Sequence, residues 1–368
     1  MSVPVPPLRR STLFRRAAVA LSAVTTLAVG VSAAVAATTP TPSVTPTSTP
    51  SGFPSPIPSS TPTASSTYNT YSNLSYAPNG TSAQSLNLYV PKDIRRPVPL
   101  IVYIHGGGWS GGDASELQAN SGWQTYLNDG FAMASINYTL SGTAKYPQQL
   151  YDVKAAIRYL RAVAPRYHLD GQIGVWGESA GGNLAALAGA TCGVAPLEGN
   201  EGVTRESSCV QAVVDGMGPT DFLQMDTHLL NSSALHHDPP SSAESQYLGC
   251  TLGLLKCAAS TVERANPITY VTSTSQEPPY LLVQGNQDEL VPHWESQLLF
   301  NALSAACGNV TFYTPHGQGH LLFFTGALNP PYPAETVQTS KGCSTPVTTN
   351  GPALTWNTLA AFFKASVH

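Results

Sequence analysis

The sequence predicts an α/β fold in which helices flank a mostly parallel central sheet and a small cap insertion covers one edge. Short apolar runs, such as 99–104 and 280–284, alternate with longer segments of helical spacing, such as 152–163. Continuous apolar runs are typical of strands covered on both faces, and strands that alternate with helices usually pair in parallel. Residues of catalytic type follow several of these runs, as expected at the carboxyl ends of such strands.

The individual elements follow from the spacing of apolar residues along the chain. Strands are expected at 85–90, 99–104, 131–138, 173–176, 210–214, 280–284 and, as the last strand, 310–313. Helices are expected at 152–163, 184–190, 293–306 and 354–367. The segment 222–265 breaks the alternation and is predicted to be the cap insertion.

The first 67 residues are not expected to join the fold. Residues 1–36 resemble a secretory signal peptide, with arginine pairs, an apolar stretch and a small-residue cleavage pattern at Ala34-Val35-Ala36. A retained membrane anchor is the alternative, and the export route, Sec or Tat, is left open. Residues 37–67 are rich in Thr, Pro and Ser and predict a disordered linker. Residues 68–368 have the length of one large catalytic domain, and we expect the protein to be secreted.

Charge and cysteine content restrict the partners of the chain. The net charge is −4, with 10% charged residues and no basic run, which argues against nucleic acid as a partner. Six cysteines in an exported chain suggest disulfides, and pairing of nearest neighbours is the hypothesis that closes the shortest loops: 192–209, 250–257 and 307–343. No Cys-x-x-Cys pair is present, so a metal site is not expected.

The segment 175–184 predicts the nucleophile. It contains Gly177-Glu178-Ser179-Ala180-Gly181, with an apolar run before it and an alanine-rich run after it. A serine on a sharp strand-to-helix turn needs very small neighbours, because the strand and the helix almost touch there. A glycine-rich loop without a catalytic role is the alternative. The flanking strand and helix favour a nucleophile elbow at Ser179.

A serine hydroxyl needs a base, which is usually a histidine oriented by a carboxylate. Asp288 lies in the loop that follows the strand 280–284 and is the predicted acid. Other carboxylates could take this role: the adjacent Glu289, and Asp215 and Asp221, which follow another strand. His320 is the predicted base, ahead of His316, because it follows a glycine-rich turn and precedes an apolar segment.

The oxyanion that forms on attack must meet hydrogen-bond donors that are already in place. The predicted donors are the main-chain N–H groups of Gly107, Gly108 and Ala180. Glycines in His105-Gly106-Gly107-Gly108 let the chain turn and present bare N–H groups. His105 is expected to brace this loop, and Trp109 to pack against it.

Four motifs together resemble the α/β-hydrolase superfamily: His-Gly-Gly-Gly-Trp at 105–109, Gly-Glu-Ser-Ala-Gly-Gly at 177–182, Gly-x-x-Asp-x-x-Val-Pro at 285–292 and Gly-x-Gly-His at 317–320. The chain is most similar to its secreted esterase and lipase branch, which includes hormone-sensitive-lipase-like esterases and acetyl-xylan and feruloyl esterases. The resemblance implies an α/β-hydrolase fold, with Ser179 as nucleophile, His320 as base and Asp288 as acid.

The sequence therefore predicts a secreted serine carboxylic-ester hydrolase that needs no metal or organic cofactor. Its expected partners are small-molecule or polysaccharide-linked esters, such as acetyl or feruloyl esters, or other short-chain esters. No stable membrane insertion is expected after signal cleavage, and the oligomeric state is not predicted. A serine peptidase or amidase of the same fold is the alternative, and a non-catalytic binding protein on the same scaffold is a third hypothesis.

Overall fold

A computed structural model describes residues 63–65, 67–78, 80–120, 122–230, 235–253, 257–273, 276–320, 328 and 335–367. All of them belong to one compact unit, Phe53–His368. The predicted signal peptide and residues 37–62 of the predicted linker lie outside this description. Near the end of the predicted linker, Thr63–Ala64 forms a short strand that pairs with the next one.

Eleven strands form one sheet in the described part of the chain. In chain order they are β1 (Thr63–Ala64), β2 (Tyr68–Ser75), β3 (Ser85–Pro91), β4 (Val98–Ile104), β5 (Ala132–Ile136), β6 (Leu169–Glu178), β7 (Ala212–Gly216), β8 (Tyr280–Val283), β9 (Val310–Pro315), β10 (Glu335–Ser340) and β11 (Val347–Asn350). Their order across the sheet is β1-β2-β3-β5-β4-β6-β7-β8-β9-β10-β11.

The middle of the sheet is parallel and its two edges are antiparallel. The strands β5, β4, β6, β7, β8 and β9 pair in parallel. The outer strands on both sides pair antiparallel with their neighbours. This architecture confirms the predicted α/β-hydrolase fold with a mostly parallel sheet.

Helices cover both faces of the sheet. They are α1 (Glu116–Ala119), α2 (Gln124–Asn128), α3 (Gln148–Ala162), α4 (Ala180–Ala190), α5 (Ala243–Leu248), α6 (Ala259–Glu263), α7 (Trp294–Ala305) and α8 (Trp356–Ser366). Buried residues of α3, α4 and α7 belong to the core on one face, and those of α1, α2 and α8 belong to the core on the other. Side chains of β4 alternate between these two cores, which explains why its sequence is apolar throughout.

The sequence prediction missed the edge strands. The strand expected at 310–313 is not the last, because β10 and β11 follow it, and β2 was not predicted. These strands read YNTYSNLS, ETVQTS and VTTN, with few apolar residues. Many of their side chains are exposed or only half-buried, so main-chain pairing contributes much of what holds these strands, and their sequences carry a weak apolar pattern.

The three disulfides have the predicted pairing. They join Cys192 to Cys209, Cys250 to Cys257, and Cys307 to Cys343. The last one ties the turn after α7 to the turn between β10 and β11.

The predicted cap insertion lies in the connection between β7 and β8. Its described residues form a 3₁₀ turn at Asp226–His228 and the short helices α5 and α6. Residues 231–234 and 254–256 lie outside the description. Within the described residues, no helix is long and apolar enough to span a membrane.

Candidate active site

Ser179 occupies the turn between β6 and α4. Its φ and ψ angles are 56° and −122°, which few residues other than glycine adopt. The main-chain N–H of Ser179 donates to the carbonyl oxygen of Gly216 at 2.7 Å, and the N–H of Asn183 donates to the carbonyl oxygen of Ser179 at 3.1 Å. Such a conformation costs on the order of 1–3 kcal/mol and persists only where the surroundings hold it. This conformation places Ser179 on a sharp turn between the end of β6 and the start of α4, as the sequence predicts for a nucleophile elbow.

Two glycines make this turn possible. A Cβ on Gly177 would lie 2.0 Å from the carbonyl oxygen of Gly181. A Cβ on Gly181 would lie 2.1 Å from the carbonyl oxygen of Ile104, at the end of β4. Any side chain at either position would force the strand and helix apart.

The glycine-rich loop after β4 lies against the elbow. Ile104 is the partner of Gly177 in the parallel register of β4 and β6, so the two strands end side by side. A Cβ on Gly106 would lie 3.4 Å from the Cβ of Ser179. Gly107 and Gly108 have φ angles of 93° and 57°, which are in the region that favours glycine.

Three main-chain N–H groups, in the glycine-rich loop and at the start of α4, have no acceptor among the described residues. Among the described residues, the main-chain N–H groups of Gly107, Gly108 and Ala180 donate no hydrogen bond to another group of the protein. Ala180 is the first residue of α4, and the first N–H groups of a helix have no partner within the helix. These are the donors that the sequence predicts for the oxyanion hole.

His105 braces the glycine-rich loop. Its ring is buried and stacks on Tyr138 at a centroid distance of 4.2 Å, and its Nδ1 donates to the carbonyl oxygen of Gly106. The hydroxyl of Tyr138 donates to the carbonyl oxygens of His105 and Gly106. Burial lowers the pKa of His105 to about 4, so the ring is neutral near neutral pH. This arrangement matches the bracing role expected from the sequence.

His320 and Asp288 form a close pair at the same edge of the sheet. Nδ1 of His320 lies 2.8 Å from Oδ2 and 3.1 Å from Oδ1 of Asp288. The carboxylate is fully buried, and its Oδ1 also accepts the N–H groups of Leu290 and Val291. Because Nδ1 donates to the carboxylate, Nε2 of His320 is left as the basic nitrogen.

Gln284 also holds Asp288 in place, and we did not single it out as a functional residue from the sequence. Its Nε2 donates to Oδ2 of Asp288 at 3.1 Å and to the carbonyl oxygen of Val291 at 2.8 Å. Its position at the end of β8, four residues before the predicted acid, was the signal available in the sequence.

Hydrogen bonds connect the loop that carries Asp288 to the loop that carries His320. The N–H of Gln287 donates to the carbonyl oxygen of Gln318, and the N–H of Gly317 donates to Oδ1 of Asn286. A Cβ on Gly285 would lie 2.1 Å from the carbonyl oxygen of Gln318. These contacts fix the distance between the acid and the histidine.

Three of the alternative residues, His316, Asp221 and Asp215, have other hydrogen-bond partners. Nε2 of His316 is 2.9 Å from the hydroxyl of Thr336, and the side chain is exposed. Asp221 accepts from the side-chain amides of Asn266 and Gln224. Asp215 accepts from the N–H of Gly218, and burial raises its pKa to about 7. The carboxylate that binds the His320 ring in the described structure is Asp288.

Ser179 lies at the same sheet edge as this pair. Across the parallel register, Glu178 is paired with Gly216, Gly216 with Val283, and Val283 with Tyr313, so the four strands end in line. Among the described residues, the hydroxyl of Ser179 makes no hydrogen bond, with His320 or otherwise. Catalytic hydrogen bonds in ligand-free enzymes are often long and tighten when substrate binds.

No metal centre is found in the described ranges, where no three His, Cys, Asp or Glu side chains group so as to hold an ion. Glu178, next to Ser179, is buried on the opposite side of the sheet among Tyr103 and Tyr126, and burial raises its pKa well above the usual range. Burial thus favours the neutral form of the Glu178 carboxyl over the charged form.

Comparison with known proteins supports a relationship to esterases. The BD-FAE family model matches residues 86–303, more than half of the chain. Esterase LipQ of Mycobacterium tuberculosis is 28% identical over 256 residues. That match covers 68% of this chain and 57% of LipQ, so the chain spans about half the length of this curated relative.

Solved structures with this fold include esterases that act on carbohydrates. A truncated carbohydrate esterase from gut microbiota superposes with a TM-score of 0.61 at 32% identity, over 70% of this chain and 92% of the other. An acetyl ester-xyloside bifunctional hydrolase of Caldicellulosiruptor lactoaceticus superposes with a TM-score of 0.53 at 23% identity, over 68% and 85% of the chains, and shows the fold alone. The chain thus belongs to the BD-FAE family and has the α/β-hydrolase fold.

Proposed function

We propose that this protein is a secreted serine carboxylic-ester hydrolase with Ser179 as nucleophile, His320 as base and Asp288 as the orienting acid. The observation that carries the proposal is the juxtaposition of a strained serine turn with the glycine-rich loop, at the sheet edge that also carries the buried His320–Asp288 pair. Family membership and the likeness to a carbohydrate esterase support it.

The first step forms an acyl-enzyme. Nε2 of His320 takes the proton of the Ser179 hydroxyl while Oγ bonds to the ester carbonyl carbon, and the carbonyl oxygen becomes an oxyanion. The intermediate then collapses, the bond to the alcohol oxygen breaks, and the imidazolium returns its proton to the leaving alcohol. Asp288 keeps the ring in the tautomer that this transfer needs and stabilises its positive charge.

The oxyanion is held by the N–H groups of Gly107, Gly108 and Ala180. Each donor of this kind contributes about a hundredfold or more in rate. In the second half of the reaction, His320 takes a proton from water, whose oxygen attacks the acyl carbon. The bond to Oγ breaks, Ser179 regains its proton, and the carboxylic acid leaves.

The substrate class follows from the relatives and from the surface beside the acid loop. The likeness to a carbohydrate esterase at 32% identity supports esters of polysaccharides as the substrate class, and we infer acetyl or feruloyl esters among them. Three large apolar side chains near this loop are exposed: Leu223, Leu290 and Trp294. Nε1 of Trp294 donates to Oε1 of Gln224, and its ring stacks on His228 at a centroid distance of 5.0 Å. Such a surface suits sugar rings or an aromatic acyl group.

Secretion is supported by the disulfides and by the sequence of residues 1–36. Three disulfides and no free cysteine among the described residues are typical of an oxidising compartment.

Hydrolysis of p-nitrophenyl acetate by the wild type and by Ser179→Ala tests the proposal. We expect the substitution to lower kcat by about a thousandfold or more, because the nucleophile is lost. Equal activity in both forms, or none in either, would contradict the esterase assignment.

A panel of acetylated xylan, a feruloylated sugar, tributyrin and a peptide anilide then tests the substrate class. We expect the highest kcat/KM on the first two. Preferential cleavage of the anilide would instead favour the serine peptidase or amidase.

A further inference from the structure

A second histidine–carboxylate pair is buried in the cap segment and has no part in the mechanism above. Nδ1 of His237 lies 3.0 Å from Oε1 of Glu244, and the two side chains are 3% and 5% exposed. Both ring nitrogens of His237 and Oε2 of Glu244 lack a partner with full hydrogen-bond geometry among the described residues, so the contact between the two side chains is an ion pair. Buried charged groups need compensation, so each partner depends on the other.

His237 faces the loop that holds the catalytic acid. Its main-chain N–H donates to Oδ1 of Asp226 at 2.6 Å, and its ring faces the main chain of Leu290. The N–H of Leu290 in turn donates to Oδ1 of Asp288. Leu290 therefore lies between the His237 ring and the Asp288 carboxylate and contacts both.

Glu244 belongs to α5, which packs against the oxyanion loop at two points. A Cβ on Gly108 would lie 3.2 Å from the Cβ of Ala243, the first residue of α5. The ring of Tyr247, on the next turn, stacks on Trp109 at a centroid distance of 4.3 Å and an interplanar angle of 9°. The position of α5 thus sets the shape of the loop that carries the Gly107 and Gly108 donors.

The charges around the pair favour a protonated ring. Burial by itself lowers the pKa of His237, but Glu244, Asp226 and the main chain of Leu290 raise it, and the net pKa lies above the usual value. Glu295 of α7 faces Glu244, and the flanking His236 and Asp238 lie around Asp226. A neutral ring would leave Glu244 buried without a cation.

We propose that His237 and Glu244 are positioning residues, whose ion pair links the acid loop to α5 and thereby holds the oxyanion donors in place. The inference rests on the proposed function, because it assigns the pair a role in that reaction. Neither side chain is proposed to contact substrate. Disruption of this ion pair should lower kcat with little change in KM, since the oxyanion donors act mainly on the transition state.

The test uses His237→Gln, Glu244→Gln and the double variant of the full chain, with p-nitrophenyl acetate as substrate. We expect each single variant to lower kcat about tenfold, because small displacements of catalytic groups have effects of this size or larger. KM should change by less than about twofold. The double variant should lose little more than either single one, since both break one interaction.

His236→Gln is the matched control, because His236 is adjacent to His237 but its side chain is exposed. Its Nδ1 lies 3.7 Å from Oδ2 of Asp226, which is too far for a hydrogen bond. This variant should keep wild-type kcat. The wild type should also lose kcat as the pH rises through the His237 pKa, and this loss should be smaller in Glu244→Gln.

Unchanged kcat in both folded single variants, additive losses in the double variant, or an effect on KM alone would overturn the inference. If a glutamine variant does not fold, the wild type is compared with Glu244→Asp, which keeps the charge but lengthens the contact. The quantity compared is then the fall of kcat at alkaline pH, the alkaline limb of the pH profile. Identical limbs overturn the proposal, and a shifted limb supports it. If Ser179→Ala retains activity, the proposed function itself fails, which is a separate outcome.

Discussion

At the scale of single residues, the strained turn at Ser179 is held by the main chain and by its glycine neighbours. The hydrogen bonds that maintain it use the N–H and carbonyl groups of residue 179, and the hydroxyl takes no part in them. A fold that maintains such a conformation without using the side chain leaves the hydroxyl free for chemistry. Replacement of the side chain by alanine should therefore remove activity and preserve the fold.

The choice between the two histidines is a prediction about single side chains. His320→Ala should lower kcat for p-nitrophenyl acetate by about a thousandfold or more, because the Ser179 hydroxyl loses its base. His316→Ala should stay within a fewfold of wild type, since His316 contacts Thr336 at the far side of its loop. Steady-state kinetics measure both. Full activity in His320→Ala, or its loss in His316→Ala, would contradict the assignment.

At the scale of the elements, the central strands could be predicted because burial on both faces leaves a continuous apolar pattern. The outer strands β2, β10 and β11 could not, because many of their side chains are exposed or half-buried and leave a weak apolar pattern. The interaction of Gln284 with Asp288 also escaped prediction, since a buried glutamine at a strand end has no pattern of its own. His237 and Glu244 are seven residues apart, and their pairing depends on how the cap segment folds back.

The contact between α4 and β4 predicts a sharp effect of one methyl group. Gly181→Ala would bring its Cβ to 2.1 Å from the carbonyl oxygen of Ile104, so the helix must move. We expect a loss of about 1–3 kcal/mol or more in the free energy of unfolding. Chemical denaturation measures it, with Gly142→Ala as the control, because a Cβ on Gly142 meets nothing within 4 Å. Equal stability of the two variants would contradict the close approach.

The carboxyl group of Glu295, in the first turn of α7, should make stability depend on pH. Burial raises the pKa of Glu295 to about 8, although the N–H groups of Thr220 and Asp221 act to lower it. Between pH 4.5, its ordinary pKa, and about pH 8, the unfolded chain has released the proton that the folded chain keeps. The contribution of Glu295 to stability is therefore greatest at low pH and falls as the pH rises.

Glu295→Gln should remove this contribution. Its melting temperature should fall less steeply than that of the wild type between pH 5 and 8, a range that follows from the raised pKa. Glu263→Gln, at an exposed carboxylate in α6, should retain the wild-type slope. The account of Glu295 fails if all three proteins show parallel curves.

At the scale of the whole molecule, the three disulfides close loops of different length. Cys250–Cys257, Cys192–Cys209 and Cys307–Cys343 span 7, 17 and 36 residues. Loss of chain entropy in the unfolded state grows with loop length, which gives about 3 kcal/mol for the 17-residue loop and about 4 kcal/mol for the longest.

Paired serine variants test this ranking. We expect the free energy of unfolding to fall least for the Cys250–Cys257 pair and most for the Cys307–Cys343 pair. Denaturant titration of the three variants measures the order. A largest loss at Cys250–Cys257 would show that local contacts of the cap segment outweigh loop closure.

The central claim is that Ser179 is activated by the His320–Asp288 pair, and covalent labelling tests it most directly. Mass spectrometry should find one adduct per chain, on Ser179, after incubation of the wild type with a p-nitrophenyl phosphonate. Labelling should be absent in Ser179→Ala and slowed at least a hundredfold in His320→Ala. An adduct on another residue, or equal labelling rates in the wild type and His320→Ala, would contradict the account.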